Sequence, residues 1–214
     1  GALCFPILRV TVVEADDVIG TLAVQAREQG IDVVISTGDK DFAQLVDDRI
    51  TLVNTMTNST MDVNGVLAKF GVRPDQIVDF LALTGDSVDN VPGVEKCGPK
   101  TAAKWLAEYG TLEALMAAAD KVGGKIGENL RTALPRLPLS KDLVTIRTNT
   151  PLEVGPTDLH HRQPDNEALL ELYRRYDFKA ALKELEAGGA APTAPGQAPA
   201  ADSTPAAAGS AAPI

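Results

Sequence analysis

Three groups of acidic residues carry the strongest chemical signal in this sequence. They comprise seven carboxylates, each placed near the end of an expected helix or strand: Glu14, Asp16, Asp17, Asp39, Asp41, Asp86 and Asp89. Converging carboxylates repel one another and take up protons unless cations neutralise them. Mg²⁺ and Mn²⁺ prefer oxygen ligands, and two such ions about 3.5–4 Å apart can drive hydrolysis of a phosphodiester. The pattern therefore predicts a two-metal site.

Each acidic group, taken alone, has a simpler interpretation. Asp16 and Asp17 at a helix start can cap the helix or complement its dipole. Asp39 and Asp41, in Gly-Asp-Lys-Asp, are equally typical of a turn. Lys40 between them either contacts a phosphate or balances its acidic neighbours. The recurrence of acids at three element ends favours the metal site over separate caps.

The first part of the chain has the pattern of an α/β sheet. Buried strands are predicted at 7–13, 33–35 and 50–53, with a helix at 16–29 and a short helix at 41–46. Strand–helix–strand order at this spacing implies parallel strands, whose carboxyl ends open on one crevice. Neighbouring strands lie about 4.8 Å apart, so the first two acidic groups would meet at adjacent strand tips.

From Asp62 onward the pattern becomes helical. Helices are predicted to run from Asp62 to Phe70, from Pro74 to about Gly85, and over 100–109, 112–119, 126–133 and 166–176. The segment 187–214 is dominated by Ala, Pro and Gly, a composition typical of a disordered linker. We therefore predict an α/β part at 1–61, a helical part at 62–186 and a disordered tail at 187–214.

A glycine-containing turn between two of these helices has the form of a helix–hairpin–helix. Its amides and the following helix N-terminus can approach a phosphate closely, because glycine leaves no side chain in the way. The predicted DNA-binding residues are Gly93, Val94, Lys96, Gly98, Lys100, Thr101 and Lys104. Such contacts hold the DNA backbone and do not read its sequence. The alternative is a packing corner without a ligand.

The charge distribution fits this combination of a metal site with a DNA-binding turn. The net charge of −9 by itself argues against nucleic-acid binding. However, residues 14–89 contain 14 acids and 5 bases, whereas residues 92–149 contain 9 bases and 6 acids. The acids are therefore concentrated at the predicted metal site and the bases around the predicted turn. No run of about 18 apolar residues exists, so no membrane span is expected.

Four motifs together resemble the 5′-nuclease domain of bacterial DNA polymerase I, which belongs to the flap endonuclease family. They are Val-Glu-Ala-Asp-Asp-Val-Ile-Gly at 13–20, Ser-Thr-Gly-Asp-Lys-Asp at 36–41, Leu-Val-Asn-Thr-Met-Thr-Asn at 52–58, and the segment 83–94. The resemblance runs from about residue 7 to residue 183. It implies a PIN-like nuclease core with a helical helix–hairpin–helix subdomain. The implied reaction is Mg²⁺-dependent hydrolysis of DNA or primer RNA at nicks and 5′-flaps.

The resemblance also implies roles for individual residues. Glu14, Asp16 and Asp17 would bind or orient the first Mg²⁺ or Mn²⁺ ion, and Asp39, Asp41, Asp86 and Asp89 would hold the second. Asp16, Asp39 and Asp41 are the expected catalytic residues. The turn at 93–100 would bind duplex DNA and hold a K⁺ ion through carbonyl oxygens. A polymerase region beyond the tail, a monomeric state and a cytoplasmic location are further expectations.

The sequence departs from the family in one respect, and two other functions remain as alternative hypotheses. The family's first strand, a second metal-binding Asp and a helical arch with Lys and Arg have no counterpart here. The 214-residue chain is therefore expected to be inactive or nearly so. A rival hypothesis is a DNA-binding module without catalysis, in which the acids serve as caps. A PIN- or NYN-like ribonuclease shares the acid-tipped sheet, but the turn after Asp89 counts against it.

Overall fold

The computed structural model describes residues 2–160 and 162–187, which form two compact units. The larger unit spans 6–160, and the described residues of the smaller unit are 2–5 and 162–187. Almost all of the predicted linker at 187–214 lies outside the described residues. The predicted division of the chain near residue 61 stays a prediction.

The larger unit contains a small sheet followed by a series of short helices. The helices are α1 (Ala15–Glu28), α2 (Val63–Phe70), α3 (Ile77–Thr84), α4 (Pro99–Tyr109), α5 (Leu112–Ala117), α6 (Gly124–Ala133) and α7 (Leu137–Leu143). The strands are β1 (Val33–Ser36), β2 (Ile50–Asn54) and β3 (Ser59–Met61). Turns of 3₁₀ helix occur at Asp41–Leu45, Pro74–Gln76, Ala119–Lys121 and Pro156–Asp158. None of the described helices is long and apolar enough to cross a membrane.

The sheet has the order β1-β2-β3. β1 and β2 pair in parallel, with Val33 opposite Ile50, which confirms the parallel arrangement expected for these two strands. β2 pairs with β3 in an antiparallel hairpin that the sequence did not predict. The hairpin turn depends on the Asn54 side chain, whose Oδ1 accepts hydrogen bonds from the amides of Met56 and Thr57.

The predicted strand at 7–13 is wrong. This segment has no regular structure; Val12 adopts a positive φ of 63° and is fully exposed, and Ile7 is 67% exposed. An apolar run becomes a strand only where a neighbour accepts its backbone hydrogen bonds, and among the described residues β1 pairs with β2 alone. Glu14, Asp16 and Asp17 therefore lie at the start of α1, not at a strand tip.

The helical part follows its capping signals closely. The Asp62 carboxylate accepts the Gly65 amide at the start of α2, and Gly71 ends that helix with a φ of +73°. Pro99 opens α4, and Gly110 closes it with a φ of +82°. Trp105, on α4, is buried in the core. A continuous apolar core runs from the sheet through α3 and α4 to α7.

The smaller unit is a pair of helices, α8 (Asn166–Arg175) and α9 (Lys179–Glu186). Asp165 caps α8 by accepting the Ala168 amide at 3.0 Å. Tyr173 and Phe178 pack edge to face with ring centroids 6.1 Å apart at the corner between the helices. α8 agrees with the predicted helix at 166–176, whereas α9 was not predicted.

Candidate metal centre

The loop after β1 is a turn that also presents carboxylates. Thr37 Oγ1 accepts the Asp39 amide at 3.0 Å, and Asp39 Oδ1 accepts the Asp41 amide at 3.0 Å. These bonds turn the chain sharply, so that Asp41 becomes the first residue of the 3₁₀ helix Asp41–Leu45. The turn interpretation and the ligand interpretation are therefore compatible for this group.

The loop after α3 is held by an unusually close approach of two backbone segments. Gly85 ends α3 with a φ of +74°, and a Cβ atom added there would lie 2.5 Å from the Gly93 nitrogen. Asp86 and Val91 form a two-bond bridge with N···O distances of 2.9 and 2.7 Å. Asp86 Oδ1 also accepts the Val88 amide at 2.8 Å. Since glycine is needed where the segments touch, the loop fixes Asp86 rigidly.

Asp41, Asp86 and Asp89 converge, and we call them the aspartate cluster. Each offers one carboxylate oxygen, and these oxygens lie within 4.8 Å of one another. Asp41 Oδ1 is buried and has no hydrogen-bond partner among the described residues. The pKa of Asp41 is raised to about 6, mainly by burial; the charges of Asp39, Asp86 and Asp89 contribute to the rise, whereas Lys40 opposes it. A buried carboxylate oxygen without a partner in such a group fits a hard cation.

Lys40 supplies a positive charge beside the aspartate cluster. Its Nζ lies 2.6 Å from Asp86 Oδ2, and the Asp86 side chain is only 4% exposed. The hydrogen bond from Lys40 lowers the pKa of Asp86 despite its burial, and the Val88 amide adds to that effect. Of the two roles considered for Lys40, the structure shows charge balance, although its partner is Asp86 and not a flanking residue.

Asp16 lies at the border of the cluster. Burial raises the pKa of Asp16, and the negative charges of Asp39, Glu14, Asp17 and Asp89 raise it further, in that order. Asp39 and Asp89 thus act on both Asp16 and Asp41. The carboxylates of the first and second acidic groups therefore share one electrostatic environment, even though no strand precedes α1.

Asp17 and Glu14 stand apart from the aspartate cluster. Asp17 Oδ1 accepts the Arg147 amide at 2.8 Å, so this carboxylate tethers another part of the chain. Glu14 is exposed, precedes α1 and makes no side-chain capping bond. Neither residue belongs to the three-carboxylate group.

Gln44 was missed by sequence reasoning, although it supports the cluster directly. Its Nε2 donates to the Asp41 and Val144 carbonyls at 2.9 and 3.0 Å, and its Oε1 accepts the Ile146 amide at 3.0 Å. Thr21, on α1, accepts the Thr150 amide in the same segment. The segment 144–150 therefore joins α1 to the 3₁₀ helix that bears Asp41. No local pattern marks Gln44, because its Val144 and Ile146 partners lie about a hundred residues away.

The predicted DNA-binding turn is anchored from behind by α6 and α7. Its carbonyls each accept one side-chain hydrogen bond: Gly93 from Arg136, Pro92 from Ser140 and Glu95 from Asn129, at 2.7–2.9 Å. Val94 is buried, and its amide donates to the Leu83 carbonyl at 2.8 Å. The inclusion of Val94 among the phosphate-contacting residues is therefore corrected, because both its side chain and its amide serve the core.

The other side of the turn faces solvent. Lys96, Lys100 and Lys104 are exposed, and the last two lie one helical turn apart on α4. Gly98 precedes α4, and a Cβ atom added there would meet nothing within 4 Å. The start of α4 and three lysine side chains are thus exposed to solvent close together in the sequence, and we call these residues the lysine face (Lys96, Gly98, Lys100 and Lys104).

Comparison with known proteins places this arrangement among nucleases. The model for the 5′-3′ exonuclease N-terminal resolvase-like domain matches residues 1–71, and the model for the 5′-3′ exonuclease C-terminal SAM fold matches residues 72–167. DNA polymerase I of Pseudomonas aeruginosa is 50% identical over 196 residues, which cover 86% of this chain and 21% of that protein. The chain thus spans about a fifth of the length of the curated relatives it matches.

Two solved structures share the fold. Bacteriophage T5 5′-exonuclease with bound zinc aligns with a TM-score of 0.61 and 21% identity, covering 86% of this chain and 62% of that one. A bacteriophage T5 flap endonuclease complexed with DNA and metal ions aligns with a TM-score of 0.62 and 20% identity, covering 85% and 62%. The predicted fold class, a PIN-like α/β sheet with a helical subdomain, is confirmed.

Proposed function

This chain belongs to the 5′-3′ exonuclease family, and we propose that it is the 5′-nuclease region of a bacterial DNA polymerase I. Its reaction would be metal-dependent hydrolysis of DNA or primer RNA phosphodiesters during replication and repair. The aspartate cluster is the observation that carries this proposal, because it combines three close carboxylates with a buried oxygen that lacks a partner.

The aspartate cluster fits Mg²⁺ or Mn²⁺ better than a soft metal. Every candidate ligand is a carboxylate oxygen, and no thiol or imidazole belongs to the group. When bound, such an ion lowers the pKa of a coordinated water and neutralises charge on the phosphodiester. Asp41, Asp86 and Asp89 would hold this ion. The zinc bound to the bacteriophage T5 5′-exonuclease is consistent with a divalent metal in this fold.

A second ion position is proposed beside Asp16 and Asp39. The charges of Asp39 and Asp89 act on both Asp16 and Asp41, so these two carboxylates could influence both ion positions. Glu14 and Asp17 would orient this ion through water or through the α1 N-terminus. Asp16, Asp39 and Asp41 are the proposed catalytic residues, since each faces the shared negative environment.

The lysine face is the proposed contact with duplex DNA. Its exposed ammonium groups and helix N-terminus suit phosphates, and Thr101 follows in the first turn of α4. The DNA complex of the bacteriophage T5 flap endonuclease supports such a partner. A K⁺ ion at the turn 93–100 is part of this proposal, although the Gly93 and Glu95 carbonyls already accept side-chain hydrogen bonds.

The wider context of the chain is also proposed. The nicked, flapped or RNA-primed duplex would be its substrate, a polymerase region its covalent partner, and the bacterial cytoplasm its location. It would act as a monomer. The low activity expected of the 214-residue chain alone stays a prediction from the sequence.

Metal-dependent DNA binding tests this function without requiring turnover. Ca²⁺ should strengthen binding of a 5′-flap duplex to the purified chain, because it neutralises the carboxylates near the bound phosphates. Asp41→Asn combined with Asp86→Asn should remove most of the Ca²⁺ effect, whereas Asp120→Asn, at an exposed acid outside the site, should keep it. Fluorescence anisotropy with labelled DNA measures both effects.

The non-catalytic DNA-binding module makes the opposite prediction in that experiment. It has one observation in its favour, since Lys40 already neutralises part of the acidic group without metal. In that case the flap duplex would bind equally well with Ca²⁺ and with EDTA, and the double substitution would change nothing. Such a result would overturn the nuclease proposal.

A further inference from the structure

Lys40 forms an ion pair with Asp86, one of the proposed metal ligands. Lys40 Nζ lies 2.6 Å from Asp86 Oδ2, and the other Asp86 oxygen accepts the Val88 amide. The Asp86 side chain is 4% exposed, whereas the Lys40 side chain is 39% exposed. The carboxylate is therefore buried and held by two partners, while the lysine side chain as a whole is partly exposed to solvent.

The surrounding charges make this ammonium group unusual. Among the described residues, the charges that act most on the Asp41 carboxyl are those of Asp39, Lys40, Asp86 and Asp89, so the Lys40 ammonium group faces three other acids there. Arg27, Arg49 and Lys141 are engaged with acids elsewhere in the larger unit. Without metal, Lys40 thus supplies the positive charge that keeps the aspartate cluster together.

We propose that Lys40 is the resident counter-ion of the aspartate cluster and that a divalent cation displaces its ammonium group from Asp86. This inference rests on the proposed metal site. A divalent ion and an ammonium group a few ångströms apart repel each other, and both seek the same carboxylates. Binding of the ion therefore requires Lys40 to leave.

The lysine side chain can make this movement without rearranging the fold. Its four-carbon stem is flexible, and its backbone stays in place because Lys40 precedes the 3₁₀ helix Asp41–Leu45 with a helical φ of −72°. The released ammonium group remains tethered between Asp39 and Asp41. It would then lie where a phosphate brought to the metal could meet it.

The direction in which a substitution of Lys40 changes the affinity for Mn²⁺ tests this role. Lys40→Met keeps most of the length of the side chain and removes the charge, so Mn²⁺ should bind more tightly to this variant. The expected gain is up to about thirtyfold, the size expected for removing a unit charge about 4 Å from a divalent ion in a water-like dielectric. Lys40→Arg should bind Mn²⁺ within about twofold of wild type, because it restores the charge. Lys125→Met removes a lysine from an exposed ion pair with Glu128 and serves as the control.

Stability without metal provides a second readout. Lys40→Met leaves Asp86 buried without its counter-ion, so its unfolding midpoint in EDTA should fall below that of wild type. Saturating Mn²⁺ should restore more stability to Lys40→Met than to wild type, since the ion takes over the role of the ammonium group. Thermal unfolding at fixed pH, with and without Mn²⁺, measures both changes. Lys40→Gln offers a second neutral variant should Lys40→Met fold poorly.

The outcomes separate this inference from the proposed function. If wild type does not bind Mn²⁺ in an electron paramagnetic resonance titration, the metal site itself is wrong. If wild type binds Mn²⁺ but Lys40→Met and Lys40→Gln bind it equally or more weakly, the site stands and the displacement is wrong. In that second case Lys40 would be a residue that orients Asp86 for the metal. Tighter binding by both neutral variants, with Lys125→Met unchanged, supports displacement.

Discussion

Replacing Gly93 with alanine should disrupt the loop after α3, whereas the same change at Gly98 should not. A Cβ atom at Gly93 would collide first with the Gly85 nitrogen and would also lie 2.5 Å from the Thr84 carbonyl carbon and 2.6 Å from the Leu83 oxygen. All three are backbone atoms, so rotation of a side chain cannot relieve the contact. A Cβ atom at Gly98 meets nothing within 4 Å.

The size of the effect follows from these distances. Ordinary contact begins at 3.4 Å, so the Leu83 oxygen would have to move away by about 0.8 Å, and the closer Gly85 nitrogen by more. The same Leu83 oxygen accepts the Val94 amide at 2.8 Å, and that shift would stretch the bond to about 3.6 Å, beyond hydrogen-bonding range. Losing a buried hydrogen bond costs about 1–3 kcal/mol, and overpacking adds about 1–3 kcal/mol. Gly93→Ala should therefore lose about 2–6 kcal/mol of unfolding free energy.

Urea denaturation of the two variants, followed by circular dichroism, measures the difference. Gly98→Ala should stay within about 1 kcal/mol of wild type, because alanine there only weakens a helix cap. Gly93→Ala should also weaken Mn²⁺ binding, since Asp86 and Asp89 are carried by the same loop. Equal stability of Gly93→Ala and wild type, or equal losses in both variants, would show that the close backbone approach is not what holds this loop.

Three further predictions concern the metal site, its support and the lysine face. Because burial raises the pKa of Asp41 to about 6, protons should compete with Mn²⁺ below that pH. The Mn²⁺ affinity measured by calorimetry should therefore fall by up to about tenfold per pH unit below that pKa. An affinity that does not change between about pH 5 and about pH 7, on either side of that pKa, would contradict this. The same raised pKa means that Asp41 adds folding stability below pH 3.8 and that this contribution is lost as the pH rises through about 6. Gln44→Leu removes three hydrogen bonds, so it should lower the free energy of unfolding by about 1–3 kcal/mol and expose the Ile146 amide to hydrogen exchange. Gln44→Glu keeps the acceptor oxygen and should keep that amide protected. An unchanged Ile146 exchange rate in Gln44→Leu would refute the supporting role of Gln44. Lys100→Ala with Lys104→Ala should lower the slope of log affinity for duplex DNA against log salt by about 2, and an unchanged slope would remove both residues from the DNA contact.

Local patterns in the sequence predicted most of the individual elements. The apolar spacing after Asp16 gives α1, and the β-branched runs near Val33 and Ile50 give a parallel strand pair. Asp62 and Gly71 mark the two ends of α2, because a cap and a left-handed glycine act within one turn of the chain. These signals succeed because the interactions behind them are local.

Elements whose formation depends on a partner far away in the sequence could not be predicted from local patterns. The Val-rich segment 7–13 resembles a strand but is unpaired, while the polar, three-residue β3 becomes a strand because a hairpin turn brings it to β2. α7 was not predicted; Pro135 and Pro138 are residues typical of loops, although Pro138 lies in the first turn of α7, where proline is tolerated. Secondary structure was therefore predicted wrongly wherever tertiary pairing or the position of a residue in a helix outweighed the residue's own preference.

The candidate site shows the same division. The acids themselves stood out in the sequence, and the structure brings Asp41, Asp86 and Asp89 together. The pairing of Lys40 with Asp86 spans 46 residues, and Gln44 reaches the segment 144–150, so neither follows from spacing. The candidate ligands could thus be predicted from the sequence, whereas the groups that neutralise and support them could be identified only from the fold.

Mn²⁺ titration monitored by electron paramagnetic resonance shows whether the aspartate cluster holds a divalent ion. We expect the purified chain to bind Mn²⁺, Asp41→Asn combined with Asp86→Asn to abolish the tightest binding, and Asp120→Asn to leave it unchanged. Equal Mn²⁺ affinity in wild type and the double variant would show that the converging carboxylates do not hold the metal.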